Sequence, residues 1–267
     1  MKSIRSYVVY LFVLAMLVVP YRAFAFIGLD VGVGYWRQTP SGTLAYKGTT
    51  ADDTLDLKDD LNLDSKNRPF VRIKAELPLI LPNIYAMYTP MSFDGTGRKT
   101  ANFKYGDVTF AANAALESKI KLDHYDVALF YPIPVLKTAT AGVLNVELGL
   151  NAKIISFEGE VTGTESTPPF ATKTASISKT LPIPMIYVGI QVKPISMVSI
   201  EAEVRGIAIG ASHFYDYMGR LKIMPIGPLF ISAGYRAEQI KISSNQVSDV
   251  NADIKFGGPF IEVGLGF

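Results

Sequence analysis

Long segments in which apolar and polar residues alternate at every second position are the feature that most restricts the fold of this chain. Between Leu144 and Ile154 the even positions are apolar, whereas the odd positions hold Asn, Glu, Gly, Asn and Lys. The same alternation recurs in Phe26–Trp36, Val198–Ala208 and Leu229–Glu238. Because successive side chains of a β-strand point to opposite faces, each segment predicts a strand with one apolar and one polar face.

The lengths of these segments and of their connections separate a membrane barrel from a soluble β-sandwich, which shows the same alternation. Soluble strands cluster near 5–6 residues, a tilted membrane strand needs about 9–11, and these segments are of the longer kind. Short connections (Pro78–Asn83, Pro194–Met197, Pro225–Pro228) alternate with long polar ones (Arg37–Arg68, Phe93–Ser118, Gly159–Thr180), as in outer-membrane barrels. We therefore predict an all-β chain that forms a closed antiparallel transmembrane β-barrel.

Ten strands are predicted, and an even number returns both ends of the chain to one side of the membrane. They are Phe26–Trp36, Pro69–Leu77, Asn83–Met91, Lys119–Tyr131, Val143–Phe157, Met185–Lys193, Val198–Ile209, Tyr215–Met224, Leu229–Ile242 and Val250–Phe267. Tyr215–Met224 alternates only briefly, so eight strands is the alternative. A further hairpin inside Phe103–Leu116 would lengthen a loop or add strands. Gly257-Gly258-Pro259 interrupts the last strand and predicts a bulge or kink there.

Residues 1–25 have the parts of a secretory signal peptide. Lys2 and Arg5 precede an apolar run, Tyr7–Val19, that is too short to span a bilayer, and the segment closes with Ala-Phe-Ala. We expect cleavage after Ala25, which leaves residues 26–267 as the barrel. The formal charge of the whole chain is +2, and without the three basic residues of this segment it is −1. That balance does not favour nucleic-acid binding, and the lack of Cys excludes thiolate chemistry.

The last strand ends in alternating apolar residues and a terminal aromatic residue: Ile261, Val263, Leu265 and Phe267. This ending is similar to the C-terminal signal by which outer-membrane barrels are recognised for assembly. We therefore expect the barrel assembly machinery to be a partner of this strand, and outer-membrane lipid and lipopolysaccharide to surround a monomeric barrel. Tyrosine residues near the strand ends, such as Tyr35, Tyr88 and Tyr125, suit the two membrane interfaces.

The polar faces of the predicted strands carry equal numbers of acidic and basic residues, and we expect these to line the lumen. The basic set is Arg72, Lys74, Lys153, Lys193, Arg205, Arg220, Lys222 and Arg236, and the acidic set is Asp30, Glu76, Asp126, Glu147, Glu201, Glu203, Glu238 and Glu262. A narrow barrel of about 8–10 strands leaves little room for water, and buried ions must pair. The balance favours an ion-paired plug over a selective pore, while a narrow path for small solutes stays open.

Motifs for metal binding or catalysis are weak. The acidic loop with Asp52, Asp53, Asp56, Asp59, Asp60 and Asp64 lacks the spacing of a calcium loop, and its Leu55, Leu57, Leu61 and Leu63 are expected to pack against the barrel mouth. Ser212 and His213 are adjacent in an extended strand and so point in opposite directions, which disfavours a hydrolase. His124 lies on the same strand face as Asp126, where a buried ion pair is expected. No metal, cofactor or enzymatic activity is predicted.

Several short motifs occur in an order that resembles small Gram-negative outer-membrane β-barrel proteins with no assigned activity. The motifs are Leu81-Pro82-Asn83-Ile84, Leu122-Asp123-His124-Tyr125-Asp126, Tyr215-Asp216-Tyr217, Ala233-Gly234-Tyr235-Arg236 and Gly258-Pro259-Phe260. The chain is also loosely similar to the OmpW-like and OmpA-like barrels. The resemblance implies a barrel in the outer membrane of a Gram-negative bacterium, with no functional residues to carry over. We predict a structural or narrow small-solute channel protein; the alternatives are a loop-mediated adhesin or receptor, and a lipid- or peptide-modifying hydrolase.

Overall fold

A computed structural model describes residues 28–78, 80–245 and 247–267 of the 267-residue chain, so the predicted signal peptide lies outside the described residues. Ten strands form the barrel: β1 (Gly28–Tyr46), β3 (Lys66–Glu76), β4 (Asn83–Thr89), β8 (Leu116–Pro132), β9 (Leu144–Thr164), β10 (Thr172–Ile195), β11 (Val198–Ile209), β12 (Ser212–Ile226), β13 (Leu229–Ile242) and β14 (Val250–Gly266). Four shorter strands lie toward one end: β2 (Leu55–Asp56), β5 (Ser92–Gly97), β6 (Phe103–Tyr105) and β7 (Val108–Phe110).

The barrel is closed by antiparallel pairing of its first and last strands. The register of β1 and β14 runs from Asp30↔Gly266 to Tyr46↔Val250, and the other barrel strands pair with their neighbours in chain order. β5 continues the line of β4 and pairs with β8. The prediction of ten strands is confirmed, and the weakly alternating segment is the full strand β12. Closure provides hydrogen-bond partners for the backbone N–H and C=O groups of every barrel strand over the paired length, as a membrane-spanning sheet requires.

The connections at the end that carries both described chain ends, which we call the terminus end, are short. Two of them, after β10 and after β12, are two-residue turns, and a short α-helix, Pro134–Ala139, lies between β8 and β9. At the opposite end, the loop end, much of the sequence predicted as long loops is strand instead, because β1 continues to Tyr46 and the β9–β10 hairpin continues to Thr164 and Thr172. One connection at the loop end, between β11 and β12, contains only Gly210 and Ala211.

Of the bulge or kink predicted at Gly257-Gly258-Pro259, the structure shows no bulge, although Gly258 and Pro259 lack ladder partners in β1. The β13–β14 register is continuous through these residues, and the β1–β14 register is the same on both sides of them. Gly258 has a different role, because a Cβ there would overlap the Arg37 carbonyl oxygen of β1. Its own carbonyl accepts a hydrogen bond from Trp36 Nε1 at 3.1 Å. The glycine therefore permits close packing of two strand backbones without a change of register.

The outer face of the barrel changes character along its height. On β8, Tyr125, Val127, Leu129 and Tyr131 point outward and are about half exposed. Nearer the loop end, the outward positions of the same strand hold Glu117, Lys119 and Lys121. The inner face changes in the opposite sense at the same height, from Asp126 to Leu122 and Ile120. We call this height the switch level.

The switch level recurs on the neighbouring strands. On β9, Ile154 is the last apolar residue that points outward, and Ile155 is the first of the apolar residues that point inward. Ile154 pairs with Tyr125 and Ile155 pairs with His124, so the change occurs at one height on both strands. An apolar outer belt below this height and a polar surface above it are what a barrel that leaves the lipid at this height requires.

The interior of the loop half is an apolar core that the connecting segments complete. Leu55, Leu57, Leu61 and Leu63 are buried, so the prediction that these leucines pack at the mouth is confirmed. The β6–β7 hairpin adds the stacked rings of Phe103 and Phe110, whose centroids are 5.3 Å apart. Hydrogen bonds of 2.9 Å and 2.8 Å tie this hairpin to Tyr46 of β1 and to Thr164 of β9. The hairpin therefore lies across the mouth.

Within the described residues, no helix has the length and apolar character needed to cross a membrane.

Candidate functional site

The structure places most of the sequence-predicted lumen residues in the interior of the terminus half. Those buried there are Arg72, Asp126, Glu147, Lys153, Glu201, Glu203, Arg205, Arg220, Lys222, Arg236, Glu238 and Glu262. Asp30, Lys74 and Glu76 are partly buried and lie nearer the terminus end. Lys193 was predicted with them but is exposed, at the terminus end of β10 where the register with β11 shifts between Val192 and Ile195. The strand pairing brings oppositely charged members of this set within contact distance across the lumen as well as along the wall.

Asp216 of β12 lies at the centre of the first group of ions, which we call the upper ion cluster. Its carboxylate accepts hydrogen bonds from Arg236 at 3.0 and 2.8 Å and from Lys153 Nζ at 3.2 Å, and Arg205 lies 3.6 Å away. Lys153 also donates to Asp126 at 2.9 Å. Glu238 completes the cluster, with Arg236 at 2.6 Å and His124 Nδ1 at 3.3 Å. Each charge in the cluster faces at least one opposite charge.

A second group, the lower ion cluster, lies nearer the terminus end and is organised around Arg220. This guanidinium donates to Glu201 at 2.8 Å and to Glu203, and lies 3.5 Å from Glu262. Glu262 also pairs with Arg72 at 2.9 Å. Lys222 pairs with Asp30 beside this cluster. The two clusters are continuous, because Arg205 lies 2.6 Å from Glu203 and also pairs with Asp216.

Lys74 and Glu147 form a further pair, at 2.8 Å, whose carboxylate also accepts from the Tyr187 hydroxyl at 3.2 Å. Glu76 makes no ion pair within the described part of the chain. Removing water from so many ions costs several kcal/mol for each ion unless attraction and hydrogen bonds compensate. The pairing found here supplies much of that compensation, although some buried atoms of these ions, such as Arg72 Nη1 and Arg205 Nε, have no hydrogen-bond partner within the described residues.

Aromatic rings fill the space between the ions. Arg236 lies 4.8 Å from the Trp36 ring, Arg205 lies 4.5 Å from the Tyr85 ring, and Lys153 lies 5.1 Å from the Phe214 ring. These cation–π contacts join strands that are not direct neighbours in the sheet, and each contributes about 2 kcal/mol when it is desolvated. Arg236 also reaches Thr89 of β4 at 2.8 Å. The interior is therefore crosslinked across the lumen.

Near the height of the upper ion cluster, every barrel strand contributes at least one inward side chain that is at most 3% exposed. These residues are Trp36, Phe70, Met87, Asp126, Lys153, Tyr187, Arg205, Asp216, Arg236 and Phe260, one from each strand in chain order. We call them the closure belt. Because these side chains are almost wholly buried, they leave no open passage, and the lumen is closed at this level.

Sequence reasoning missed Asp216, which it treated only as part of the motif Tyr215-Asp216-Tyr217. The signal was present, because Asp216 has the same parity on β12 as Arg220 and Lys222. His124 was predicted to pair with Asp126, its neighbour on the same face, but its ring nitrogen contacts Glu238 instead. Asp126 is occupied by Lys153 and by Asn151 Nδ2, which donates at 2.9 Å.

The acidic loop uses its carboxylates to hold the mouth together. Asp53 accepts hydrogen bonds from the backbone N–H groups of Thr49, Thr50 and Lys104 at 2.7, 2.8 and 2.6 Å. Burial raises the pKa of this carboxyl, but these hydrogen bonds outweigh that effect and lower the pKa to about 2. Asp60 likewise pairs with Lys99 at 2.7 Å. Within the described residues, no three His, Asp or Glu side chains are grouped to hold a metal ion.

Ser212 and His213 are not brought together. Ser212 Oγ accepts a hydrogen bond from the Ser243 backbone N–H at 2.9 Å, whereas the His213 ring stacks against Tyr215 with centroids 5.0 Å apart. Within the described residues, no carboxylate pairs with His213. The arrangement lacks the hydrogen-bonded order of nucleophile, base and carboxylate that a hydrolase of this kind needs.

The closed ten-strand barrel, its apolar outer belt and its ion-paired interior together define a transmembrane β-barrel protein. No family model matches the chain, and no curated protein matches it.

The solved structures to which the chain is similar at low identity include the following three. The first is Ail, the attachment invasion locus protein of Yersinia pestis, at 9% identity over 89% of this chain and 99% of Ail, with a TM-score of 0.35. The second is the translocator domain of autotransporter NalP from Neisseria meningitidis, at 11% identity over 90% and 88% of the two chains, with a TM-score of 0.47. The third is the toluene transporter TodX of Pseudomonas putida, at 8% identity over 91% and 90%, with a TM-score of 0.28.

Proposed function

We propose that this chain is a structural protein of the Gram-negative outer membrane, a barrel whose lumen does not conduct. The closure belt supports this proposal, since it places a buried inward side chain on each of the ten strands. A selective pore instead keeps its ion-binding groups accessible to water at the constriction. A narrow path for small solutes is the competing proposal, and it requires the upper ion cluster to open.

The location and assembly of the protein are part of the same proposal. Residues 1–25 direct export and are removed, and the strand that ends with Phe267 is recognised by the barrel assembly machinery. Ile261 and Val263, two residues of that proposed signal, are 63% and 50% exposed on the outer face. They are therefore positioned to meet lipid or an assembly factor.

We further propose that the protein is a monomer surrounded by lipid and lipopolysaccharide, without a cofactor and without enzymatic activity. Pairing of β1 with β14 closes the barrel within one chain, so no second copy is needed to complete it. The separation of Ser212 from His213 supports the non-enzymatic part of the proposal.

Conductance in planar lipid bilayers tests this function directly. The protein is expected to insert, as judged by β-rich circular dichroism in vesicles, and to produce no single-channel steps. The matched variant is Arg236→Ala, which removes the side chain that crosslinks β13 to Trp36, Thr89 and Asp216 and is expected to introduce a leak. Regular steps from the unaltered protein would overturn the proposal and favour solute passage.

A further inference from the structure

The barrel wall is incomplete on one side of the loop half. β10 continues to Thr172, but its pairing with β11 stops at Ile186↔Gly206. β11 and β12 turn back at Gly210 and Ala211, so they form a hairpin that ends well short of the loop end of β10. Above this hairpin, the loop-end part of β10 has no pairing partner on its β11 side within the described residues. The gap opens at the height where the outer surface changes from apolar to polar.

An apolar cleft of about 310 Å³ occupies this gap. Its walls include Leu181 and Ile183 of β10, Ile207 and Ile209 of β11, Phe214 of β12 and Ile240 of β13. This volume is at the lower end of the range for small-molecule sites, about 300–1,000 Å³. A smaller gap of about 30 Å³, also lined by Leu181 and Ile240, extends it toward Leu122 and Ile155 of the apolar core. The cleft therefore connects the outside of the barrel with the apolar upper interior.

The floor of the cleft is closed. The Phe214 ring lies between the cleft and the upper ion cluster, with Lys153 Nζ 5.1 Å from its centroid and the His124 ring 6.0 Å away. Lys153 is fully buried beneath it. A molecule that enters the cleft thus reaches the end of an apolar chamber, and the geometry is that of a binding site.

Basic residues line both the cleft and its inner extension. Lys241 and His213 line the cleft, and Lys179 lines its inner extension, whereas neither space is lined by Asp or Glu. Lys241 and Lys179 make no ion pair within the described part of the chain. Asp253, which is opposite Lys241 in the β13–β14 register, does not reach salt-bridge distance from it. Two unpaired ammonium groups beside an apolar cleft complement a molecule with an anionic head and an apolar chain.

The edge of β10 argues against a β-strand from another chain as the occupant. Pro182 and Pro184 lie in the unpaired part of β10 and line the cleft. Proline has no backbone N–H to donate to an added strand, and it protects sheet edges from such pairing. The apolar side chains, and not the backbone, are therefore the recognising groups.

We propose that this cleft binds a single-chain anionic amphiphile, with the chain among Leu181, Ile183, Ile207 and Ile209 and the head group at Lys179 and Lys241. The proposal goes beyond the structural function above. It requires the barrel to lie in a bilayer, but it does not depend on whether the lumen conducts, so conductance and binding fail separately.

Binding is measured with the full barrel in nanodiscs of zwitterionic lipid, with a dansyl-labelled undecanoic acid as the fluorescent probe. We expect saturable binding that is displaced by dodecanoate and at least tenfold less well by dodecanol or dodecyltrimethylammonium. Ile209→Glu is expected to weaken probe binding at least tenfold. The double variant Lys179→Gln with Lys241→Gln is expected to remove the preference for dodecanoate over dodecanol. Lys119→Gln, an outward lysine on β8, is the matched control and is expected to bind like the parent.

The position of the chain is tested by using the absence of natural cysteines. A fluorophore attached at Ile209→Cys is expected to be quenched by brominated dodecanoate at concentrations that leave the same fluorophore at Val127→Cys, in the outer belt, unaffected. Equal quenching at both positions would show general partition into lipid and would overturn the proposal. Non-saturable probe binding, or binding unaltered by Ile209→Glu in a variant with parental circular dichroism, would overturn it as well.

Discussion

The two halves of this barrel fill their interiors with side chains of opposite polarity. In the terminus half, the inward positions carry paired ions and the outward positions carry apolar side chains. In the loop half, the inward positions carry apolar residues such as Leu122, Phe157 and Ile254, and the outward positions are polar. The same strands pass through both halves, so the difference comes from what surrounds each half and not from the fold.

This comparison shows why ions fill one interior and apolar side chains fill the other. A strand in lipid must present its apolar face outward, which leaves its polar face for the interior. A strand in water gains most by burying its apolar face, as in an ordinary soluble protein. The loop half is thus packed like a protein surrounded by water, and the terminus half like a protein surrounded by lipid. Three experiments test this difference between the two halves.

The largest effect is expected in the terminus half, where removing one carboxylate leaves several buried cations without a partner. Asp216→Asn is expected to destabilise the folded barrel by about 3–5 kcal/mol, because Lys153, Arg205 and Arg236 then share one fewer negative charge in a dry interior. Urea unfolding in lipid vesicles, followed by circular dichroism, measures the change.

The matched control for this variant is Asp107→Asn. Asp107 also forms an ion pair, with Lys47 at 3.0 Å, but its side chain is 84% exposed. Exposed pairs contribute about 0–1 kcal/mol, so a small effect is expected. Similar losses from Asp107→Asn and Asp216→Asn would contradict the claim that burial gives the ions of the terminus half their importance.

A smaller and more local effect is expected in the apolar loop half. Leu57→Ala removes a buried side chain that packs a loop into the mouth, and such changes cost about 2–5 kcal/mol. The loss is expected to appear as faster hydrogen exchange in residues 49–63 and in the β6–β7 hairpin, with exchange in β12 and β13 unchanged. Leu81→Ala, at an exposed position of a terminus-end turn, serves as the control with a change within about 0.5 kcal/mol. Uniformly faster exchange would show that the two halves unfold together.

The smallest effect concerns acid conditions at the mouth. The pKa of Asp53 falls from its ordinary value near 4 to about 2 on folding, so its contribution to stability is present above pH 4 and is lost as the pH falls toward 2. Pepsin cleavage in residues 47–63 is therefore expected to rise between pH 4 and pH 2. Asp53→Asn should be cleaved to a similar extent at both pH values, after correction for the activity of the enzyme on a peptide. A parent that shows no pH dependence would contradict the role of Asp53 as the anchor of the loop.

Most of the barrel was predictable because the alternation of residues such as Leu144–Ile154 directly records which face meets lipid. The ten strands and the short terminus-end turns follow from that pattern. The strand continuations did not follow, because beyond the switch level the apolar residues change face and the outward positions become polar. A segment such as Gly159–Thr180 has no apolar outer face, so the pattern of a membrane strand is missing and the segment was predicted to be a loop.

The sequence was enough to predict which charged residues of the candidate site face the interior, but not which of them pair with each other. Glu203, Arg205 and Arg220 were assigned to the interior by alternation along single strands. The contacts of Asp216 with Lys153 and Arg236 depend on the curvature that brings β9, β12 and β13 together around a narrow lumen, and no local pattern contains that information. The cleft was not predictable either, because it arises from the different lengths of β10 and β11.

The adjacent residues Ile154 and Ile155 have a consequence for how deeply the protein is immersed. If the barrel moved by two residues along the membrane normal toward its loop end, Ile154 and its neighbour Tyr125 would lose contact with lipid. If it moved by the same distance toward its terminus end, Lys121 and Glu158 would approach the hydrocarbon, where charged side chains on the outer face are destabilising. Both displacements are unfavourable. The change from apolar to polar outward residues just beyond Ile154 therefore fixes the vertical position of the barrel in the bilayer to within about two residues, roughly 7 Å along the strand.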